Sequence, residues 1–358
     1  MLRSRLRDGL AIANSLRLNL PFLITRDQVD EMHQLLNELV CRGRYDIIHA
    51  DQLWMAPYAL QARKEGIKKG LNPRVILDQH NAVFLIPKRM AESNRNPFVK
   101  VWLQRESKLM AEYEKKTCQE FDEVVWVTQE DWTAVNSYIT GHEKDHRESK
   151  SEETLSKLNN TVIPICFDPA TVTCPSLLPE THNILFLGGM HWPPNADGVV
   201  WFSKDILPLI HRELPQARFI AVGKNPPNIL KHSGENVIAP GYVENTDEYF
   251  SSSRMFVVPL RAGGGMRVKI LEAWARGIPV VSTTIGAEGI THNPGMDILI
   301  ADTPEEFARA VSQVLIDDDL AKRLSQCGRE TLENHYDWKK VYPAWDQVYN
   351  PTSEFINK

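Results

Sequence analysis

Short apolar runs alternate along the chain with longer stretches of helical periodicity. In the first half the runs are YDIIHAD (45 to 51), RVILDQH (74 to 80), EVVWVT (123 to 128) and TVIPICF (161 to 167). In the second half they are NILFLGG (183 to 189), ARFIAVG (217 to 223), NVIAPGYV (236 to 243), RMFVVPL (254 to 260) and IPVVST (278 to 283). Most of these runs are apolar at nearly every position, as expected when helices cover both faces of a strand, and the spacers are long enough for crossover helices. The pattern predicts an α/β protein with parallel sheets. Two prolines in CPSLLPETH (174 to 182) separate the strand at Ile163 from the strand at Ile184. We therefore expect an N-terminal domain over 1–175, a second domain over 176–340, and a segment 341–358 that returns to the first. Each domain would be Rossmann-like and doubly wound, with the two facing a cleft at the C-terminal ends of their strands.

The polar, charge-dense stretch GHEKDHRESKSEETLSKLNN (141 to 160) reads as an exposed loop. His142 and His146 stand four apart within it, a spacing two metal ligands on a helix could use. With no further ligand nearby in the sequence, a solvated surface pair is the better reading.

At 358 residues, 42% hydrophobic and 24% charged, the chain can bury the cores of two domains. A formal net charge of −5, with Lys and Arg scattered, supplies no basic field for a polyanion and argues against nucleic acid. The five cysteines form no CxxC pair, so neither a disulfide framework nor a zinc site is suggested. No run approaches the roughly 18 to 20 apolar residues that span a bilayer. These features fit a cytoplasmic protein. The N-terminus, MLRSRLRDGLAIANSLRLNL, reads as a domain helix, with a basic amphipathic contact to the inner membrane face as the sharper alternative.

The richest local signal is RAGGGMRVKILEAWARGIPVVSTTIGAEGI (261 to 290). Here a strand ends, Gly263, Gly264 and Gly265 make a turn, and a helix begins near Met266 and stops at Gly277, with Pro279 beyond. Glycines let the backbone approach a ligand, and the free N–H groups at a helix N-terminus favour phosphate. Arg267 and Lys269 add positive charge in the same turn. Glu272 lies roughly 9 Å along the helix at 1.5 Å per residue, a reach that suits a ribose hydroxyl when a diphosphate rests on the glycines. The stretch thus fits a nucleoside diphosphate; a glycine turn that merely joins strand to helix is the alternative. A second such loop, FLGGMHWPPNADGVVWF, follows the first strand of the same half. Gly188 and Gly189 follow that strand, and Asn195 is placed to cap the next helix. His191 suits a phosphate or sugar contact, or an ordinary surface position, and Trp192 suits packing or a lid.

These residues carry a resemblance. Residues 183 to 340, through FLGGMHWPPNADGV, GYV (241 to 243), the glycine-rich stretch above and HYDWKKV, resemble the nucleotide-sugar-binding domain of the retaining glycosyltransferases of family 4, which have the GT-B fold. The resemblance implies that Glu272, the second glutamate of a motif with two glutamates seven residues apart, binds the donor ribose. Gly264 stands where the first glutamate would fall. An Arg/Lys pair that many members carry after the first strand of this domain is missing, which raises the weight on Arg267 and Lys269 as phosphate-neutralising cations. The first half resembles the acceptor-side domain through YDIIHADQLWMAPYAL, VILDQHNAVF, KKTCQEFDEVVWVT and VIPICFD. His80 then matches a histidine that reaches the donor sugar, a core His satisfied by backbone being the alternative. Asn81 would hold it or contact substrate.

Relatives of this kind open with further strands and a glycine loop before the region matching Arg44 to Asp51. About forty residues precede it here, and none reads as a strand followed by a glycine loop, so the N-terminal domain is expected to be incomplete. The resemblance implies a retaining glycosyltransferase moving a sugar from a nucleoside diphosphate sugar to an acceptor glycan or lipid-linked sugar, with no required cofactor or metal. The alternative is a catalytically weak nucleotide-sugar-binding fragment or subunit, completed by a partner chain or by self-association. An oxidoreductase is a distant third, because no GxGxxG follows a strand. The run DDD (317 to 319), ahead of a helical stretch, reads as a solvated helix cap rather than a metal site.

Overall fold

The computed structural model describes residues 5–94, 96–140, 161–172, 180–232 and 234–350. His142, His146, most of the proline-bearing stretch 174–182 and the last eight residues lie outside them. The chain divides into two compact units, Met1–Pro164 with Ala344–Lys358, and Ile165–Pro343.

The first unit holds a parallel sheet in the order β1-β2-β3-β4, made of β1 (Ile47–Asp51), β2 (Arg74–Gln79), β3 (Glu123–Trp126) and β4 (Thr161–Val162). Val75, Ile76 and Leu77 of β2 are fully buried, as a central strand covered on both faces requires. Three helices, Arg5–Leu18, Phe22–Arg26 and Asp30–Arg42, precede β1, and no strand does among the described residues. The 22-residue helix Pro97–Cys118 starts where the sequence supplies a cap and a helix-compatible proline. Asn96 accepts hydrogen bonds from the Phe98 and Val99 N–H groups, and Pro97 takes the first helical position. The late helix Pro343–Tyr349 packs on this unit. Its Tyr349 hydroxyl meets His49 Nδ1 at 2.7 Å, its Trp345 ring lies 5.5 Å from the His49 ring, and Arg74 donates to the Val348 carbonyl.

The second unit is a six-stranded parallel sheet in the order β10-β9-β8-β5-β6-β7. Its strands are β5 (Asn183–Leu187), β6 (Arg218–Val222), β7 (Val237–Gly241), β8 (Met255–Val258), β9 (Val280–Ser282) and β10 (Leu299–Ile300). Strands β8 and β9 are buried at every position. The helix Val268–Ala275 begins two residues after Met266, with Arg267 in the N-cap position, and ends as the sequence predicts. Gly277, at φ 63°, donates to the Trp274 carbonyl (2.9 Å) and Ile278 donates to the Ala273 carbonyl (3.0 Å), the paired closure that favours glycine just past a helix. Asp317 caps the helix Asp318–His335 through the Leu320 N–H at 2.9 Å, the capping role read for the acidic run.

Candidate functional site

The strand order of the second unit reverses beside β5, which has β6 on one side and β8 on the other. Loops leaving the C-terminal ends of β5 and β8 therefore diverge, and open α/β sheets form their ligand crevice at such a point. Both glycine loops singled out by the sequence leave these two strands.

After β5 the chain runs through Gly188 and Gly189, with Gly188 N–H donating to the Val222 carbonyl at 2.9 Å. The next helix, Pro193–Trp201, has Trp192 in the N-cap position and prolines at its first two positions. Asn195 is therefore inside the first turn and is not the cap, which corrects the sequence expectation. Its amide does different work: Nδ2 donates to the Gly189 carbonyl (3.0 Å), and Oδ1 accepts from Lys269 Nζ (2.9 Å). His191 folds back over Gly189, and Trp192 is partly exposed.

After β8 the loop turns through Gly263 (φ 145°) and Gly265 (φ 73°), backbone conformations that L side chains rarely adopt. The guanidinium of Arg267 is buried within this turn. It donates to the carbonyls of Gly264, Gly265 (2.7 Å) and Ile285 (3.2 Å), so the arginine holds the loop in shape from inside.

Lys269 is partly buried, its Nζ 4.4 Å from the centre of the Phe186 ring and bonded to Asn195. Burial, and secondarily the Arg267 charge, pull its pKa down to about 7, with Glu272 acting in the opposite direction. A side chain at position 188 would collide with this arrangement, since a Cβ there would lie 2.8 Å from Lys269 Nζ and 2.9 Å from Asn195 Nδ2. Gly188, Asn195, Gly263, Gly264, Arg267 and Lys269 line one cavity of about 290 Å³, with Trp192 at its wall. The structure thus brings together six of the sequence-predicted site residues. Gly189, Gly265 and Glu272 are not among the lining residues. Glu272 is half-buried and paired with Arg276 at 3.2 Å; burial raises its pKa, and Arg276 partly offsets the rise.

His80 belongs to the first unit, at the end of β2. Asp51 and Asp78 are directly paired in the β1–β2 register, so His49 and Asp51 of β1 and Asp78 and His80 of the β2 end share one face. His80 Nε2 lies 2.9 Å from Asp51 Oδ1 and 3.6 Å from Asp78 Oδ2, and His49 Nε2 lies 3.9 Å from Asp78 Oδ2. The carboxylates, Asp78 foremost, raise the His80 pKa above its ordinary value against the opposing effect of burial. On the other side of the ring, Gln52 Nε2 stands 3.2 Å from Nδ1, and Trp54 Nε1 donates to Gln52 Oε1 at 2.7 Å. That tryptophan fixes which end of the amide faces the histidine. With Nδ1 accepting from Gln52, the ring proton sits on Nε2, toward Asp51. Asp51, Asp78 and His80 put ligand atoms within 4.8 Å of one another, close enough to hold a metal ion. An Nε2 that carries the proton donates to Asp51 rather than offering a lone pair to a metal, so this neutral tautomer fits a hydrogen-bonded, oriented histidine.

Sequence reasoning missed Phe186, Gln52, Asp51 and Asp78 as neighbours of the predicted residues. The two aspartates had a usable signal, because H-x-D and D-x-H on adjacent parallel strands place all four side chains on one face. Among the described residues, no helix is long and apolar enough to cross a membrane.

Residues 181–317 match the family described as glycosyl transferases group 1. Over 168 residues the chain is 29% identical to the GDP-mannose-dependent alpha-(1-6)-phosphatidylinositol monomannoside mannosyltransferase of Mycobacterium tuberculosis, a match covering 42% of each chain. The sucrose-phosphate synthase structure from Thermosynechococcus elongatus is similar at a TM-score of 0.65 and 18% identity, over 89% of this chain and 78% of that one. HepE of Anabaena, solved in complex with UDP and glucose, is similar at a TM-score of 0.61 and 14% identity, over 88% of this chain and 81% of that one. The match spans less than half the length of the mycobacterial enzyme. The chain carries the fold of the GT-B glycosyltransferases, and its residues 181–317 match the glycosyl transferases group 1 family.

Proposed function

We propose that this protein is a retaining glycosyltransferase that moves a sugar from a nucleoside diphosphate sugar to an acceptor hydroxyl. The observation that carries the reading is the convergence of two glycine loops at the β5/β8 reversal around Lys269, in a cavity of about 290 Å³. The relatives support the donor class, since HepE was solved with UDP and the mycobacterial enzyme is named for GDP-mannose.

In this reading the diphosphate rests on the Gly263–Gly265 turn and the loop at Gly188, while Glu272 takes the ribose. The bond between the sugar C1 and the diphosphate oxygen breaks, and the acceptor oxygen forms the new bond on the same face. The acceptor proton leaves with the departing diphosphate or to solvent. Lys269 and the N–H groups at the start of the helix Val268–Ala275 stabilise the charge that develops on the leaving group, the kind of pre-arranged electrostatics that supplies much of enzymatic rate enhancement. Arg267 contributes by holding the loop carbonyls and by its charge. His80, the carboxylate-bonded histidine of the first unit, is assigned to the transferred sugar.

Thermal unfolding with UDP, GDP, ADP and their glucose or mannose conjugates tests the donor reading. A ligand at a hundred times its Kd stabilises the folded state by about 2.7 kcal/mol, a clear rise in Tm. Indifference to all of them would sink it. NMR of the anomeric configuration in the first product formed tests retention.

A further inference from the structure

The turn that carries His80 and Asn81 leads directly into the helix Leu85–Ser93, whose N-cap residue, Phe84, offers no capping side chain. A helix start leaves its first N–H groups without internal partners. Here Leu85 and Ile86 N–H turn back to the Ala82 and Val83 carbonyls, and the three N–H groups just ahead of the helix are met by carboxyl groups from two other helices. Glu114, of the helix Pro97–Cys118, accepts from Val83 N–H (2.8 Å) and Phe84 N–H (2.9 Å), one through each oxygen. Its Oε1 also accepts from the Gln79 side-chain amide at 2.8 Å. Asp131, of the helix Gln129–Thr140, accepts from Ala82 N–H at 2.7 Å and is itself held by the Thr128 hydroxyl. Ser107 adds a bond to the Phe84 carbonyl at 3.0 Å. Both carboxylates are buried, Glu114 completely.

We infer that Glu114 and Asp131 are positioning residues that fix the His80–Asn81 turn, gripping the chain at Gln79 on one side and at Ala82, Val83 and Phe84 on the other. This rests on the assignment of His80 to the reaction. The alternative, a helix cap serving stability alone, does not account for the choice of groups. A local Ser, Thr or Asn would satisfy the same donors from the surface, whereas two carboxyl groups buried side by side carry a desolvation cost, one that pushes the Glu114 pKa up to about 8. What they add is placement. Four donors are fixed within six residues, and the two residues left between the grips are those with side chains offered for chemistry.

The test uses the full chain with Glu114→Gln and Asp131→Asn, which keep the side-chain shape but turn one acceptor end into a donor. Three quantities are read: nucleotide affinity, amide exchange of the peptides covering 79–84, and steady-state turnover of the donor that binds. We expect affinity for the nucleotide to hold within about twofold. Exchange at 82–84 should accelerate roughly tenfold or more while β2 stays protected, as the loss of one or two buried hydrogen bonds requires. Turnover should fall through kcat by up to about 10²-fold, the cost of a misplaced group, with KM for donor little changed. Unchanged exchange at 82–84 in both variants overturns the inference, as does faster exchange with full turnover while His80→Ala is inactive. If His80→Ala turns over normally while exchange rises in the variants, the grip stands as drawn and the assignment of His80 is what fails.

Discussion

Gln52 presents its side-chain amide to Nδ1 of His80 at 3.2 Å from a backbone conformation, φ 73° and ψ 157°, that glycine adopts readily and glutamine does not. Strain of this kind costs about 1 to 3 kcal/mol and persists where the surroundings over-determine it. Here Trp54 holds the amide oxygen, and the Gln52 N–H donates to the Asp78 carbonyl at 2.9 Å. The strained residue is thus tied to both strands that carry the carboxylates around His80.

Gln52→Gly should relieve the backbone strain. After subtracting the extra entropy of a glycine in the unfolded chain, the expected gain is about 1 kcal/mol in chemical denaturation. A net loss would show that the bonds to Trp54 and His80 outweigh the strain.

The imidazole of His80 should titrate above about 6.5, the ordinary histidine value, because Asp78 and Asp51 face it. Histidine-selective NMR reads this directly, with Asp78→Asn expected to lower the value. Gln52→Glu should raise it further, since a second acceptor would then face Nδ1 where an amide donor now stands. The associated stability is fully present below the unfolded-state value near 6.5 and is lost as pH rises through the folded value. A titration below 6.5 in the wild type would contradict the carboxylate contacts.

Lys269 titrates near 7 in the folded protein, against about 10.4 when unfolded. Between those values the unfolded chain binds the extra proton, so this residue makes stability rise with pH across that window. Lys269→Met should flatten that slope. In the proposed reading a bound diphosphate favours the ammonium, so binding at pH 8 should take up a proton and affinity should weaken as pH rises above about 7. Calorimetry in buffers of different ionisation enthalpy measures the uptake; none at pH 8 would show that Lys269 does not meet the phosphates.

Gly188→Ala places a methyl against Lys269 Nζ and Asn195 Nδ2. Displacing them should cost about 1 to 3 kcal/mol, the usual range for overpacking a fitted site, and should weaken nucleotide binding. Full affinity in this variant would separate the cavity from the nucleotide.

Glu272→Ala should weaken nucleoside diphosphate binding by about 1.5 to 3 kcal/mol, the range for hydrogen bonds to a charged group. Because Glu272 also pairs with Arg276, calorimetry should compare it with Arg276→Ala. Equal losses in the two variants would move the effect from ribose contact to helix packing.

The parallel strands were legible because Val75, Ile76 and Leu77, like Phe256 to Val258, are apolar on both faces. The glycine turns were legible because Gly263 and Gly265 take conformations that other residues avoid. β10 was not read, since a two-residue strand leaves no periodicity to detect. Asn195 was misplaced because two prolines can themselves occupy a first turn, which moves the cap back to Trp192. Arg267 gave a cation but not its direction: a guanidinium beside flexible glycines finds loop carbonyls as readily as a ligand, and spacing along the chain does not distinguish the two. Glu114 and Asp131 escaped notice because a carboxylate on a helix usually faces water, and nothing local marks one that turns inward.

The carboxylates that hold the His80 turn also set when it can form. Glu114 and Asp131 meet their backbone donors across 30 to 49 residues of chain. On a ribosome the QHNAVF segment emerges well before either acid, and its N–H groups have only water to bond until the helices Pro97–Cys118 and Gln129–Thr140 have been made and docked. Contacts at that separation are favoured only after the intervening loop has been closed. The turn should therefore become ordered only after the helix Gln129–Thr140 has been made and docked, although its own sequence appears about fifty residues earlier.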